Sequence, residues 1–377
     1  MSNTHFDLIV VGAGIVGLAH AYTAAQRGLK VCVVEKDAAC IGASIRNFGF
    51  LTVTGQAAGD TWRRARRARE VWGAVAPQAG IDIVQRGLYL TAFRDKALAV
   101  LEQFMATGMA AGCELLDAAE AAGRAPTLRL DSHHGPARAV LHSPHEARVE
   151  SRTAIGLLAA WLAEAHGVVF RFGEQVMEVA TPRVRTSRAL LQAERVAVCT
   201  NIELNGLFAE RLAPHGLRLC QLHMLRVQPP AGFRLPGSVM ADLSLVRYHG
   251  YSQLPAAQAL RAQLEAEEGE SLAHGIHLIV VQSADGSLVV GDSHHYGPVL
   301  EPFADTQVDA LMLRHMQEAL KLPDYTVTQR WVGTYPSSPS TDCLIDAPDD
   351  ATRLVVVTSG TGASTAFGIA EEVFAGW

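Results

Sequence analysis

The sequence lacks both an excess of basic charge and any long apolar run. Its 377 residues include 32 Lys and Arg against 38 Asp and Glu, which gives a net charge of −6. Nucleic-acid-binding surfaces are usually basic, so nucleic acid is not an expected partner. The apolar runs have the length of strands, whereas a helix that spans a membrane needs about 20 apolar residues. We therefore expect no membrane span.

Motifs typical of metal binding, redox thiols or secretion are also absent. Six cysteines are scattered without CxxC spacing, and two of them, Cys32 and Cys199, lie in apolar strand patterns that predict buried thiols. The N-terminus runs almost directly into an apolar strand, without the basic segment and apolar core of a secretory signal. We expect a reducing, cytoplasmic location and no metal. No Ser-His-Asp, Cys-His or paired-carboxylate constellation stands out.

The most informative segment that is present covers residues 8–36. An apolar strand, 8–11, leads into Gly12-Ala13-Gly14-Ile15-Val16-Gly17, and a helical stretch and a second strand, 31–34, follow. In such a βαβ unit the first glycine allows a sharp turn and the second lets a pyrophosphate approach the backbone. The third lets the helix pack close to the strand. The helix N-terminus offers free N–H groups to the phosphates. The motif predicts a bound dinucleotide.

Glu35 closes the second strand of this unit, 21 positions after Gly14. A carboxylate there can accept both hydroxyls of an adenosine ribose and would repel a 2′-phosphate. NAD or FAD is therefore expected rather than NADP.

The order of strand and helix patterns predicts an α/β fold in which a Rossmann-like FAD-binding domain is interleaved with an antiparallel-sheet substrate domain. We assign 1–80, 142–215 and 331–377 to the first domain, and 81–141 and 216–330 to the second. Helices are predicted at 60–77, 95–122, 152–165 and 305–321, and a helical or loop insertion at 255–272. Strands are predicted at 81–93, in a pair at 167–180, and at 195–199, 217–228, 243–251 and 287–293.

A second Gly-rich turn near the C-terminus selects between the two cofactors. The strand 354–357 leads into Ser359-Gly360-Thr361-Gly362-Ala363-Ser364-Thr365 and a helix. A second helix N-terminus suits the pyrimidine edge of a flavin, which becomes negatively charged on reduction, whereas an NAD enzyme has no need for it. FAD is the predicted cofactor.

Four motifs along the whole chain resemble those of the D-amino acid oxidase-like flavoproteins, which include glycine and sarcosine oxidases. They are GAGIVG…VVEK at 12–36, GASIRNFGF at 42–50, ERVAVCTN at 194–201 and SGTGASTAFGIA at 359–370. The resemblance implies that the second motif wraps the flavin diphosphate and that the strand around Val176 reads the adenine. The FAD contacts expected in total are Gly12, Gly14, Ile15, Val16, Gly17, Glu35, Lys36, Ala43, Ser44, Arg46, Asn47, Gly49, Leu51, Val176, Gly333, Gly362, Ala363, Ser364 and Thr365.

Departures from the family pattern bear on the substrate. Amino-acid oxidases of this kind hold the substrate carboxylate with an arginine before the last motif, and Tyr335 stands at that position here. Gly333 matches the cysteine that binds flavin covalently in monomeric sarcosine oxidases, so the resemblance implies non-covalent FAD. The strand 288–291 lacks the lysine that activates oxygen in those enzymes. The electron acceptor is thus O2 or another molecule, and the oligomeric state is left open.

Segments 43–56, 221–228, 243–251 and 291–297 resemble a subgroup of these oxidoreductases associated with phosphonate catabolism. The resemblance and the missing carboxylate arginine together favour a small amine with an anionic tail. The candidate substrate-binding residues are Arg46, His223, Met224, Arg247, Tyr248, His294 and Tyr335. His223 is equally well explained as a core residue and Arg247 as half of a structural ion pair. Adjacent His294 and His295 point to opposite faces of a strand, which disfavours a metal.

The leading hypothesis is FAD-dependent oxidation of an aminoalkylphosphonate such as 2-aminoethylphosphonate or its N-methyl derivative. Hydride transfer to the flavin would release an imine, which water hydrolyses to phosphonoacetaldehyde and an amine, without a required general base. The first alternative is an oxidase or dehydrogenase of an ordinary amino acid, with the carboxylate on Arg247 or Arg46. The second is a non-catalytic FAD-binding subunit.

Overall fold

Residues 4–377 are described by a computed structural model, in which helices pack against two large β-sheets. The strands are β1 His5–Val11, β2 Val31–Glu35, β3 Phe50–Leu51, β4 Ile83–Ala92, β5 Glu114–Leu116, β6 Asp131–Ser132, β7 Gly135–Pro136, β8 Ala139–Val149, β9 Val169–Phe172, β10 Val176–Ala180, β11 Arg183–Thr186, β12 Leu190–Val198, β13 Arg218–Gln228, β14 Ser238–Ala241, β15 Ile279–Gln282, β16 Leu288–Gly291, β17 His295–Gly297, β18 Thr326–Ser337, β19 Cys343–Asp349 and β20 Thr352–Val357. The α-helices are α1 Ile15–Ala25, α2 Asp60–Gln78, α3 Asp95–Met105, α4 Ala118–Arg124, α5 Ser151–His166, α6 Ala209–Leu212, α7 Asp242–Leu245, α8 His249–Ser252, α9 Pro255–Glu267, α10 Gly269–Ala273, α11 Thr306–Ala319 and α12 Gly362–Ala375. Short 3-10 turns cover Ala43–Ile45, Gly108–Ala110 and Ala213–His215.

The first sheet has eight strands and is built on the predicted βαβ unit. Its main path is β10-β11-β12-β1-β2-β9, and β20 joins β12 and carries β19. The pairs β1–β12, β1–β2, β2–β9 and β12–β20 are parallel. Helices α1, α2, α5 and α12 pack into one apolar cluster with this sheet. The carboxyl ends of β1, β2, β12 and β20 therefore meet at one edge, where α1 and α12 begin.

The second sheet has ten strands along the path β17-β13-β16-β15-β14-β4-β8-β3, with β18 beside β13 and β5 beside β8. Its pairs are antiparallel except for β14–β4, which is parallel. Successive side chains of a strand point to opposite faces. Leu88 and Leu90 of β4 accordingly pack on the side of α3, α7, α8 and α9, while Tyr89 packs with α4 and α11. The structure confirms the predicted α/β class with its Rossmann-like and second-sheet parts.

Helix α12 is held against α2 by a close contact and by ion pairs. A Cβ at Gly368 would lie 2.7 Å from the Arg64 carbonyl oxygen, so glycine allows the two helices to touch. Arg64 Nε lies 2.6 Å from Glu372 Oε2, and Arg67 Nε lies 2.7 Å from Glu371 Oε2. Two arginines of α2 thus pair with acidic residues of α12. This packing places the N-terminus of α12 at the sheet edge.

Some strands of the second sheet come from segments that the sequence assigned to the first domain. Residues 142–149 belong to β8, 331–337 belong to β18, and β3 also pairs with β8. β18 pairs with β13 from Thr326 to Ser337, with one irregularity between Val327 and Gln329, so the pairing runs through the expected boundary between 330 and 331. The domain boundaries themselves stay a prediction.

Three predictions of local structure were wrong. Residues 243–251, expected as a strand, form α7 and α8, because Leu243, Leu245 and Tyr251 are buried by packing on the second sheet rather than by pairing. The helical segment 95–122 is interrupted by β5, which pairs with β8. The two strands expected as a pair at 167–180 exist, but β9 pairs with β2 and β10 with β11. The buried thiols of Cys32 and Cys199 are confirmed, and no helix within 4–377 is long and apolar enough to cross a membrane.

A buried ion pair fixes α7 and α9 on the second sheet. Arg94 Nη1 lies 2.6 Å from Asp242 Oδ2 and Arg94 Nε lies 2.7 Å from Glu267 Oε2, while Asp242 Oδ1 accepts the Phe93 N–H at 3.0 Å. Arg94 is only 7% exposed. Burial raises the pKa of Asp242 to about 6 despite the attraction of Arg94.

The Arg94→Met substitution should lower the free energy of unfolding by about 3–5 kcal/mol, because it leaves the buried Asp242 carboxylate without its cation. Calorimetric melting or urea unfolding of the purified protein measures this loss. Arg185→Met is the control, because the Arg185–Glu178 pair is exposed and its loss should cost about 1 kcal/mol or less. Equal losses in the two variants would contradict this account of the buried pair.

Candidate active site

A cavity of about 1000 Å³ lies at the edge where α1 and α12 begin, and it continues along the second sheet. Its wall includes the first Gly-rich turn, the loop 40–48, the C-terminal turn 358–364 and side chains from the second sheet. Most predicted site residues line it. Gly17, Gly49, Leu51 and Thr365 among the expected FAD contacts do not, and neither do His223 and Met224 among the expected substrate contacts.

The first turn is shaped by two close backbone approaches. Gly12 has φ +103° and its N–H donates to the Val34 carbonyl at 2.8 Å; a Cβ there would lie 2.8 Å from the Cys199 carbonyl oxygen. A Cβ at Gly17 would overlap the Gly12 carbonyl oxygen, so Gly17 lets α1 start against the turn. Gly14, the N-cap of α1, lines the cavity. The turn therefore exposes backbone, rather than side chains, to a ligand.

Glu35 lies in the cavity wall beside this turn. Its Oε2 accepts the N–H of Ala13 at 2.8 Å, and its Oε1 accepts the N–H of Asp37 at 3.1 Å. These bonds fix the carboxylate in the cavity wall at the end of β2. Neighbouring Lys36 forms an ion pair with Glu203.

The second motif folds over the N-terminus of α1. Ser44 Oγ accepts the Ile15 N–H at 2.9 Å, and a Cβ on Gly14 would lie 3.0 Å from the same oxygen. Asn47 donates to the Ala43 carbonyl at 2.8 Å and accepts the Gly49 N–H at 2.7 Å, which closes the loop on itself. Gly49, with φ +68°, packs against the Val149 carbonyl, where a Cβ would overlap. Asn47 and Gly49 therefore shape the loop.

Helix α12 begins in the cavity wall near the start of α1, where a Cβ on Gly362 would lie 3.7 Å from Ile15 Cγ2. The N-cap Thr361 does not cap it with its side chain, and Gly362, Ala363 and Ser364 line the cavity. Ser364 Oγ accepts the Thr52 N–H at 2.9 Å, which ties α12 to the segment after β3. An uncapped helix N-terminus carries partial positive charge, which attracts electron-rich groups.

β18 contacts the loop 43–47 and the C-terminal Gly-rich turn. A Cβ on Gly333 would lie 3.0 Å from the Arg46 carbonyl oxygen, and the Tyr335 ring lies against Gly360, where a Cβ would be 3.0 Å from Cζ. Val176, Gly206 and Leu207 also line the cavity.

The cavity wall next to the second sheet carries the Arg247 guanidinium among tyrosine hydroxyls. Arg247 Nη2 donates to the Tyr296 hydroxyl at 2.7 Å, and the Arg218 guanidinium lies 4.2 Å from the Tyr296 ring centroid. Burial raises the pKa of Tyr335 and Tyr248 well above their ordinary values, so both phenols keep their protons. Arg247 and these hydroxyls form a donor-rich surface that suits an anion.

Sequence reasoning missed two residues of this wall, His277 and Asp292. His277 Nε2 lies 2.9 Å from Asp292 Oδ1, and His294 Nε2 lies 3.7 Å from Oδ2. Burial works to raise the pKa of Asp292, but the neighbouring His277, His294 and Arg247 outweigh burial and lower it to about 2. A sequence signal existed, because Asp292 directly follows the apolar strand β16. His277 gave none, because it precedes β15 in a loop.

His223 and Met224, expected near the substrate, lie outside the cavity. His223 is 3% exposed and its Nδ1 lies 3.8 Å from Asp309 Oδ1, while Met224 packs in the apolar cluster next to Gly291. The strand β13 carries both residues, but other groups face the cavity from it.

Comparisons with solved structures agree on the fold. A glycine oxidase from Geobacillus kaustophilus matches with a TM-score of 0.76 and 17% identity, covering 99% of this chain and 94% of that one. An L-proline dehydrogenase from P. horikoshii matches with a TM-score of 0.78 and 17% identity, covering 99% and 94%. An FAD-bound L-α-glycerophosphate oxidase from Mycoplasma pneumoniae matches with a TM-score of 0.75 and 16% identity, covering 99% and 95%. No curated protein matches.

The cavity fits a flavin dinucleotide, since two glycine turns and the N-termini of α1 and α12 border it. The family model described as FAD dependent oxidoreductase matches residues 7–375. The cofactor is FAD, as the sequence predicted, and the protein is an oxidoreductase. By this match over nearly its whole length, the chain belongs to the DAO family of FAD-dependent oxidoreductases.

Proposed function

We propose that this protein oxidises a small amine that carries an anionic tail, and that an aminoalkylphosphonate, 2-aminoethylphosphonate or its N-methyl derivative, is the substrate. The observation that carries the proposal is the cluster of Arg247, Tyr296 and Tyr335 in the cavity wall. Arg247 holds its charge beside neutral phenols, which suits the oxygens of a phosphonate. Of the three solved neighbours described above, two are named for amine substrates, glycine and L-proline, and one is named for a glycerophosphate.

The proposed reaction needs alignment more than acid–base groups. FAD supplies the hydride acceptor. Amine, water and oxidised flavin give phosphonoacetaldehyde, ammonia or methylamine, and reduced flavin, which O2 or another acceptor reoxidises. Arg247 and the phenols would anchor the tail, and the apolar wall around Leu222 and Ile279 would keep water away from the carbon that loses hydride.

We also propose that the cavity-lining members of the predicted FAD set bind the cofactor without a covalent bond. Gly12 and Gly14 leave room for the pyrophosphate, Glu35 meets the adenosine ribose, and Val176 lies near the adenine. Gly362, Ala363 and Ser364 present the N-terminus of α12 to the flavin ring. Gly17, Gly49, Leu51 and Thr365 would act by shaping these segments.

The substrate assignment predicts which amine reduces the flavin. Mixed anaerobically with 2-aminoethylphosphonate or its N-methyl derivative, the yellow protein should bleach, and phosphonoacetaldehyde should form in equal amount. Stopped-flow absorbance gives the rate for each amine. Much faster bleaching by glycine or sarcosine would overturn the phosphonate assignment in favour of an ordinary amino acid.

The Arg247→Met substitution should weaken the apparent affinity for the anionic amine by about 30-fold or more, because the anion loses its charged partner in a largely buried site. The concentration dependence of flavin reduction measures this loss, and FAD content should not change. Arg46→Met is the comparison variant, since Arg46 is the other arginine proposed for an anionic group. A loss of affinity in Arg46→Met alone would indicate that the loop 43–47, rather than Arg247, binds the anionic tail.

The Gly14→Ala substitution should lower the FAD content of the purified protein by at least about tenfold. The new Cβ would lie 3.0 Å from Ser44 Oγ, in the space proposed for the pyrophosphate. Flavin released on denaturation, divided by protein concentration, measures occupancy. Gly156→Ala in α5 is the matched control, because its Cβ would meet no atom within 4 Å and should leave FAD bound. Full FAD occupancy in Gly14→Ala would remove Gly14 from the cofactor site.

A further inference from the structure

A buried carboxylate in the cavity wall is not fully satisfied by its neighbours. Asp292 is 5% exposed and lines the cavity. Within residues 4–377, no group donates a well-aligned hydrogen bond to its Oδ1, although His277 Nε2 lies 2.9 Å away. An ionised carboxylate without hydrogen bonds is costly to bury. Such a group in a ligand cavity indicates that a ligand completes it.

His294, beside Asp292, presents a lone pair rather than a proton. His294 Nδ1 lies 2.9 Å from the Gly275 carbonyl oxygen, which can only accept, so Nδ1 carries the proton. Burial, with Arg247 and His277 nearby, lowers the pKa of His294 to about 3, so the ring is neutral near pH 7. Its Nε2 is then an acceptor, 3.7 Å from Asp292 Oδ2. Two acceptors that face each other need a donor between them.

His277 lies behind Asp292. Its Nδ1 lies 3.5 Å from Ser244 Oγ, and that hydroxyl donates to the His277 carbonyl at 2.8 Å. Ligand atoms of His277, Asp292 and His294 all lie within 4.8 Å of one another. The cluster is rich in acceptors and carries the negative charge of Asp292.

We propose that Asp292 and His294, with His277 behind them, bind the ammonium group of the substrate, while Arg247 and its phenols bind the anionic tail. This inference rests on the proposed function. A primary ammonium has three N–H donors, and an N-methylammonium has two, for Asp292 Oδ2 and His294 Nε2; one of these protons must leave before the neighbouring carbon gives up hydride. Negative and positive groups in one cavity wall complement a zwitterionic substrate, and neither a simple amine nor a simple phosphonate would satisfy both.

A divalent metal ion is the rival occupant, because two histidines and one carboxylate are also a metal-ligand set. Arg247 disfavours it, since its guanidinium lies close enough to influence Asp292 and would repel a doubly charged ion more than a singly charged one. The ammonium also arrives with the anion that neutralises Arg247. The electrostatics of the wall therefore favour the amine.

The test uses the FAD-loaded protein and two phosphonates of equal shape. 2-Amino-2-methylpropylphosphonate has no hydrogen on the carbon that bears nitrogen, so it binds without being oxidised; 2,2-dimethylpropylphosphonate replaces its ammonium by a methyl group. Flavin absorbance titrations should show that the wild-type protein binds the amine about 30-fold or more tightly. Asp292→Asn should abolish this preference and leave the affinity for the methyl compound within about threefold.

Two further variants test the same ammonium site. His294→Gln should reduce the preference if Asp292→Asn fails to fold, and Asp309→Asn, at a buried carboxylate outside the cavity, should leave it unchanged. A retained preference in Asp292→Asn, or one that chelation removes and added Zn²⁺ or Mn²⁺ restores, overturns the ammonium site. If the same wild-type protein bleaches with 2-aminoethylphosphonate, the proposed function survives that result. If no anionic amine bleaches it, both fail.

Discussion

Two helices, α1 and α12, begin at the wall of one cavity, and neither N-terminus is covered by the side chain of its N-cap residue. The position of these two helix N-termini depends on backbone contacts that only glycine permits. Gly17 lets α1 start against the turn after β1, and Gly368 lets α12 lie on α2. The N-termini of the two helices lie close together, since a Cβ on Gly362 would be 3.7 Å from Ile15 Cγ2, and both border the cavity. A dinucleotide with a negatively charged pyrophosphate and an electron-accepting ring matches this arrangement.

Charged side chains near the second sheet form the remaining wall of the cavity. Two buried aspartates in this part of the protein show how a carboxylate that is satisfied within the fold differs from one that a ligand can reach. Asp242 accepts a backbone N–H and meets Arg94 at 2.6 Å, so its charge is satisfied within the fold. Asp292 has close cationic and histidine neighbours, but no group among the described residues donates a well-aligned hydrogen bond to its Oδ1. Burial is similar in the two cases. Only the Asp292 carboxylate lines the large cavity. A ligand there most readily offsets the free-energy cost of burying this charge.

Local sequence patterns predicted the parts of the site that lie close together in the chain. The turn from Gly12 to Gly17, the carboxylate of Glu35 and the helix after Gly362 each follow from a strand, a turn and a helix in sequence. Short apolar runs were less informative, since 243–251 fits a strand pattern and yet forms two helical turns. Arg247 was expected on a strand, and it lies instead in the connection between α7 and α8. Its place in the cavity came from packing, which periodicity does not encode.

The sequence by itself determined the α/β class, the dinucleotide turn and the choice of FAD, because these depend on residues within a few turns of one another. The tertiary structure decided which polar groups share the substrate wall. His277 precedes β15 and Asp292 follows β16, and antiparallel pairing of Ile279 with Gly291 brings the two side chains together. It also turned His223 and Met224 of β13 away from the cavity. Contacts between side chains that are distant in the sequence depend on strand pairing and on burial across the whole fold, and no local pattern of residues specifies them.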